Sequence, residues 1–145
     1  MKKYEQLVGL LPIIYPVFYI KKDRAGNEFI FLDEGRQQEN ILIEISDKTQ
    51  CEAVENHFHL FDRVSKENKV AVKKICVSIA KNLLQTLTQT FPDKKFIVYL
   101  QINNNDSIIR FHQIWNEEPL YFDVKQLRNK DGTEIFEYKY EPGPT

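Results

Sequence analysis

The hydrophobic positions change period along this chain, and the changes predict its elements. From Ser65 to Phe91 the sequence SKENKVAVKKICVSIAKNLLQTLTQTF has the 3.6-residue period of an amphipathic helix. Val72, Cys76, Ile79, Leu83 and Leu87 form its apolar stripe, flanked by Ile75, Ala80, Leu84 and Phe91. Lys74, Ser78, Lys81, Gln85 and Thr88 lie opposite. Ser65 is placed as the N-cap, and Pro92 ends the run because it lacks an amide donor and disfavours helix at Phe91. A stripe this wide needs a broad surface to cover it, and the segments on both sides read as strands.

In chain order, Tyr4, Leu7, Val8 and Leu11 predict a short first helix ending before Pro12. Tyr15 to Ile20 and Glu28 to Leu32, joined by KKDRAGN, predict a β-hairpin turning at Gly26 and Asn27. ILIEIS, with Ile41, Ile43 and Ile45 alternating, predicts a third strand. DKTQCEA reads as a loop and VENHFHLF as a strand with Glu55, His57, His59 and Phe61 on one face. After the long helix, KFIVYLQI and SIIRFHQIW predict a hairpin across NNND. LYFDV is a short strand and EIFEYKY an edge strand whose alternating charges discourage edge pairing. The fold class expected is α+β, in one domain spanning residues 1–145: a mainly antiparallel sheet, a helix over about 65–91 across one face, and a short N-terminal helix.

Composition fits a single domain with its own core, at 145 residues, 42% apolar and 28% charged. The two cysteines are too few for a disulfide framework, and without a secretory signal or membrane-length apolar run the expected location is cytoplasmic. The net charge of −1 conceals an asymmetry. Residues 33–62 carry eight acids against two bases, and residues 63–95 carry eight bases against two acids. Each block solvates its own surface, or the acidic one meets a basic partner.

Three groups of residues are candidates for chemistry. His57 and His59, alternating on a strand, with His112 on another, have the residue types of a metal site. His59 and His112 with Arg110 have those of an acid–base pair beside a phosphate-holding cation. Neither is supported by a recognised spacing such as HExxH, and their competing role is as polar residues on a sheet face. The primary expectation is no catalytic residue, no metal and no cofactor, since GxSxG, GxxxxGK[ST] and GxGxxG are all absent. Lys66, Lys69, Lys73, Lys74 and Lys81 lie on the long helix, but without an aromatic RNA-binding motif and with pI near 6.3 they read as a solvated face. The third group is a protein interface. Trp115, Tyr121, Phe122, Tyr138 and Tyr140 sit on short or edge elements, and Asp33, Glu34, Glu39 and Glu44 supply an acidic rim.

The acidic segment LDEGRQQENILIEI, the lysine-rich helix and the hairpin FIVYLQINNNDSIIRFHQIW together resemble the small α+β immunity proteins of bacterial contact-dependent and polymorphic toxin systems. The resemblance covers general organisation and carries no functional residue across. It implies a non-enzymatic inhibitor that binds one cognate toxin, such as a basic nuclease domain, and occludes its active site or an exosite. On that expectation Asp33, Glu34, Glu39, Glu44, Trp115 and Tyr121 form the binding face. The alternative is a small histidine- or metal-dependent enzyme acting on phosphodiesters or a small ligand.

Overall fold

The structure, a computed structural model, describes residues 2–34, 47–103, 106–123 and 132–142, with the backbone alone at 2 and 3. The elements are α1 (Lys2–Gly9), α2 (Leu11–Ile14), β1 (Phe18–Lys22), β2 (Glu28–Leu32), α3 (Lys48–Glu55), β3 (His57–Asp62), α4 (Lys69–Thr90), β4 (Phe96–Ile102), β5 (Asp106–Gln113) and β6 (Glu134–Tyr140). The α+β class holds, with the long helix packed on antiparallel strands. The strands form two sheets: the hairpin β1-β2, and a four-stranded sheet in the order β3-β5-β4-β6, antiparallel throughout.

The stripe of α4 buries Cys76, Ile79, Ala80, Leu83 and Leu87 against Phe96, Val98 and Leu100 of β4 and Ile109 and Phe111 of β5. Leu10, the residue that caps α2, with Ile13 of α2 and Ile30 and Leu32 of β2, extends this core. Ile75 departs from its expected place, being 45% exposed, because it lies beyond the width of sheet that α4 covers. Ser65 does begin the helical run, but a 3₁₀ turn over Lys66–Asn68 comes first and its side chain makes no capping bond. Lys73 Nζ lies 3.0 Å from a Glu134 carboxylate oxygen and ties α4 to β6.

The first strand of the hairpin starts three residues and ends two residues later than expected, at Phe18–Lys22, while its second strand forms over Glu28–Leu32 as expected. Its turn is held by Asp23, which accepts the Asn27 N–H at 2.9 Å, with Gly26 at φ 87°, where L side chains are strained. The first helix ends before Pro12, at Gly9, as expected, and Pro12 falls in a separate short helix. It occupies the first turn of α2, where a missing N–H costs nothing.

The larger correction concerns DKTQCEA, expected as a loop. It folds as α3, because Asp47 caps the helix by accepting the Gln50 N–H at 2.7 Å. The strand expected from Val54 therefore starts at His57, and Glu55 belongs to the helix rather than to the histidine face. No strand forms over Leu120–Asp123, while the strand expected at 41–46 lies outside the described residues. EIFEYKY is the edge strand β6, as expected.

Candidate functional site

Two neighbouring regions hold the polar side chains of interest. The first is a buried seam between the two sheets, built by α3. Glu52 and Asn56 are four residues apart and therefore project from one side of the helical segment. Asn56 Oδ1 accepts the Leu32 N–H at 2.9 Å, and its Nδ2 donates to the Ile30 carbonyl at 2.8 Å. Glu52 accepts four N–H bonds: from the Ile30 backbone at 2.9 Å, the Gln113 backbone at 2.9 Å, Gln113 Nε2 at 2.7 Å and Trp115 Nε1 at 2.7 Å. The Asn56 carbonyl accepts the Phe111 N–H at 3.1 Å. Two helical side chains thus do for β2 and the end of β5 what a neighbouring strand would do.

Glu52 is wholly buried. Burial drives its pKa upward, the four N–H donors pull it back, and the balance is about 7. These donors account for the buried carboxyl without any catalytic role. Nearby, Glu118 accepts the Thr49 N–H and hydroxyl, each at 2.8 Å, and lies 3.3 Å from Lys48 Nζ. Burial opposes ionisation of Glu118, but the Thr49 and Lys48 contacts outweigh it and its pKa falls.

The second region is the face of the four-stranded sheet turned away from α4. The register places His57, Arg110, Tyr99 and Glu137 in one row, with His59, Ile108, Gln101 and Ile135 in the next. His112 is fully buried on this face. Its Nδ1 bonds the Gln113 carbonyl at 2.6 Å, leaving Nε2 to accept from the Tyr99 hydroxyl and the Tyr121 N–H, each at 3.3 Å. Burial lowers the His112 pKa and raises that of Tyr99 to about 12, so both are neutral fasteners of the Leu120–Phe122 segment.

Arg110 donates from Nη1 to the Ala53 carbonyl and lies over the Tyr121 ring at 4.9 Å and the Phe122 ring at 5.8 Å. Its buried Nε has no hydrogen-bond partner, and no carboxylate pairs with it among the described residues. Burial lowers its pKa, yet a guanidinium stays charged.

The expected acid–base pair does not assemble. His59 is opposite Ile108, four residues from His112 along β5, a separation of roughly 13 Å. His59 Nδ1 instead lies 2.9 Å from Asp106 Oδ2, and His57 Nδ1 bonds the Val54 carbonyl at 2.6 Å. The two imidazoles are close, with ring centroids 5.5 Å apart, but His112 does not join them. Among the described residues no group of three or more His, Cys, Asp or Glu side chains is arranged to hold a metal.

The expected binding face is also redistributed. Trp115 is half-buried, packed on Phe29 at 5.6 Å and covered by Lys48, with its N–H committed to Glu52. Tyr121 carries Arg110. The Asp33 N–H donates to the Val17 carbonyl at 2.8 Å and Glu34 follows it, while Glu39 and Glu44 lie outside the described residues. Glu52, Asn56 and Gln113 escaped the sequence reading. The available signal was Asp-x-x-Gln at 47–50, a helix-start pattern followed by a Glu/Asn pair at i, i+4.

Apolar exposure is uneven. Of the ten large hydrophobic side chains that are exposed among the described residues, seven precede residue 21: Tyr4, Leu7, Val8, Leu11, Tyr15, Val17 and Ile20. Tyr4, Val8 and Tyr15 are 72%, 63% and 74% accessible. Beside α1 runs a groove of about 500 Å³, lined by Gln6, Gly9 and Leu10 on one side and His59 to Asp62 with Asp106 on the other.

A family model matches residues 21–136, and the chain therefore belongs to the uncharacterized protein PM0498 family. The matched span holds every side chain of the Glu52 seam and begins after the exposed apolar segment. No curated protein and no solved structure matches the chain. Among the described residues no helix is long and apolar enough to cross a membrane.

Proposed function

We propose that this chain is a non-enzymatic protein-binding module of the immunity type, acting in the cytoplasm by covering a cognate toxin domain. One observation carries the reading: seven of the ten large apolar side chains exposed among the described residues lie within residues 4–20. Tyrosine, leucine and valine in one such segment favour a protein partner over a small ligand. The docking surface is therefore assigned to Tyr4, Leu7, Val8 and Tyr15 rather than to Trp115 and Tyr121, which the fold already uses.

The enzymatic alternative has less support. Its acid–base residues are far apart, His112 serves as an internal acceptor, and the buried carboxyl of Glu52 is saturated with N–H donors. The test is a pull-down from the native host with the wild type and with Leu7→Glu/Val8→Glu. One stoichiometric partner, a protein with a toxic domain, should be retained by the wild type and lost by the variant at unchanged thermal stability. Equal retention by both would move the interface elsewhere, and an empty wild-type pull-down from a host expressing a neighbouring toxin would sink the reading.

A further inference from the structure

We propose that the open edge of β3 is a strand-addition site for an extended, basic segment of a partner protein. The proposal rests on the protein-binding reading and names the mode and chemistry of contact. In the order β3-β5-β4-β6, β3 has a neighbour on one side only among the described residues. The bond from the Phe111 N–H to the Asn56 carbonyl fixes which backbone groups point inward. Residues 56 and 58 turn toward β5, so the N–H and C=O groups of His57 and His59 turn to the open side. A bulge between His59 and Asp62 then turns Phe61 back toward β5, where Ser107 Oγ accepts its N–H at 3.0 Å. Apart from that bulge, the usual protections of an edge are missing over the described residues: β3 has no lysine and no proline along His57–Asp62.

The groove meets this edge over His59 to Asp62. Its far wall is α1, and the space at Gly9 is open, since a Cβ built there would meet nothing within 4 Å. An extended segment entering it finds backbone groups of His59 unpaired among the described residues on one side and Leu10 and Leu60 between the walls, so apolar residues at alternate positions fit. The charge is one-sided. Among the described residues, Asp62 and Asp106 line the groove with no lysine or arginine, and Asp62 has no ion-pair partner. A lysine or arginine of the incoming segment complements Asp62.

The probe is a seven-residue synthetic peptide alternating valine and lysine, titrated into the full chain. It should slow amide exchange at His57 and His59. Its fully N-methylated form, which cannot donate to the edge, should not bind. Glutamate in place of lysine should weaken binding about tenfold or more. Gly9→Phe, which fills the groove from open space, should also weaken it about tenfold while the melting temperature holds. Equal binding by the N-methylated peptide, protection mapped to the outer side of α1, or no binding to the folded wild type would overturn strand addition. The host pull-down is independent of this. A partner lost by Leu7→Glu/Val8→Glu but retained by Gly9→Phe leaves the binding reading standing and removes the edge proposal.

Discussion

α4 and α1 are both amphipathic helices, yet the same kind of pattern meets opposite fates in them. The stripe of α4 lies over four strands, and Leu83, Leu87, Ala80 and Cys76 lose all their solvent contact. α1 buries no described side chain: Tyr4, Leu7 and Val8 remain more than half exposed, and Leu10, which enters that core, follows the helix. A helix buries only what a neighbouring surface is wide enough to cover, and here the sheet runs out at β3. The charged groups divide in the same way. Glu52, inside the covered region, has four donors, whereas Arg110, on the less covered face, has one carbonyl and two aromatic rings.

Four experiments would break or sharpen this contrast. Leu83→Ala should cost about 4 kcal/mol in urea unfolding, because the site is fully buried under packed strands and cannot collapse; a loss below about 1 kcal/mol would mean that α4 is not seated as described. The next largest effect comes from pH. The folded-state pKa of Glu52, raised to about 7, lets the native state bind its proton more tightly than the unfolded chain does. Its contribution therefore falls as pH rises from about 4.5 to 7, by about 3 kcal/mol across that window. Glu52→Gln should lack this slope, and a wild-type curve no steeper than the variant's would place the carboxyl in a wetter setting.

At pH 8, where the wild-type carboxylate accepts all four N–H groups, the same Glu52→Gln change should itself destabilise by about 2 kcal/mol, since its amide turns N–H groups toward two of the four donors. An equally stable variant would show that the seam is looser than its distances state. Smallest of all, Leu7→Glu should change stability by no more than about 0.5 kcal/mol, in contrast to Leu83→Ala on the covered helix. A loss near that of Leu83→Ala would show that α1 is covered after all, and would remove the basis of its assignment as a docking surface.

Much of the fold was legible because its signals are local. The 3.6 period of residues 65–91, the Gly26 turn and the apolar run of β4 each depend on residues close in sequence. α3 was missed for a related reason: it is eight residues long, too short for its period to stand out, and only the cap at Asp47 marked it. The candidate site was far less legible. His57, His59 and His112 were recognisable as residue types, but register along β5 separates them and gives His59 to Asp106 instead.

The sequence alone determined the elements that repeat a pattern over many residues, because backbone period and side-chain alternation are set by neighbours in the chain. Only the tertiary structure decided that Glu52 would be buried between two sheets, that Trp115 would be committed to it, and that the apolar side of α1 would remain open. Those outcomes depend on which strand edges and helix faces meet across 60 or more residues, as Glu52 and Gln113 do at |i−j| = 61. Such meetings are set by the geometry of packing, to which no single stretch of this chain gives access.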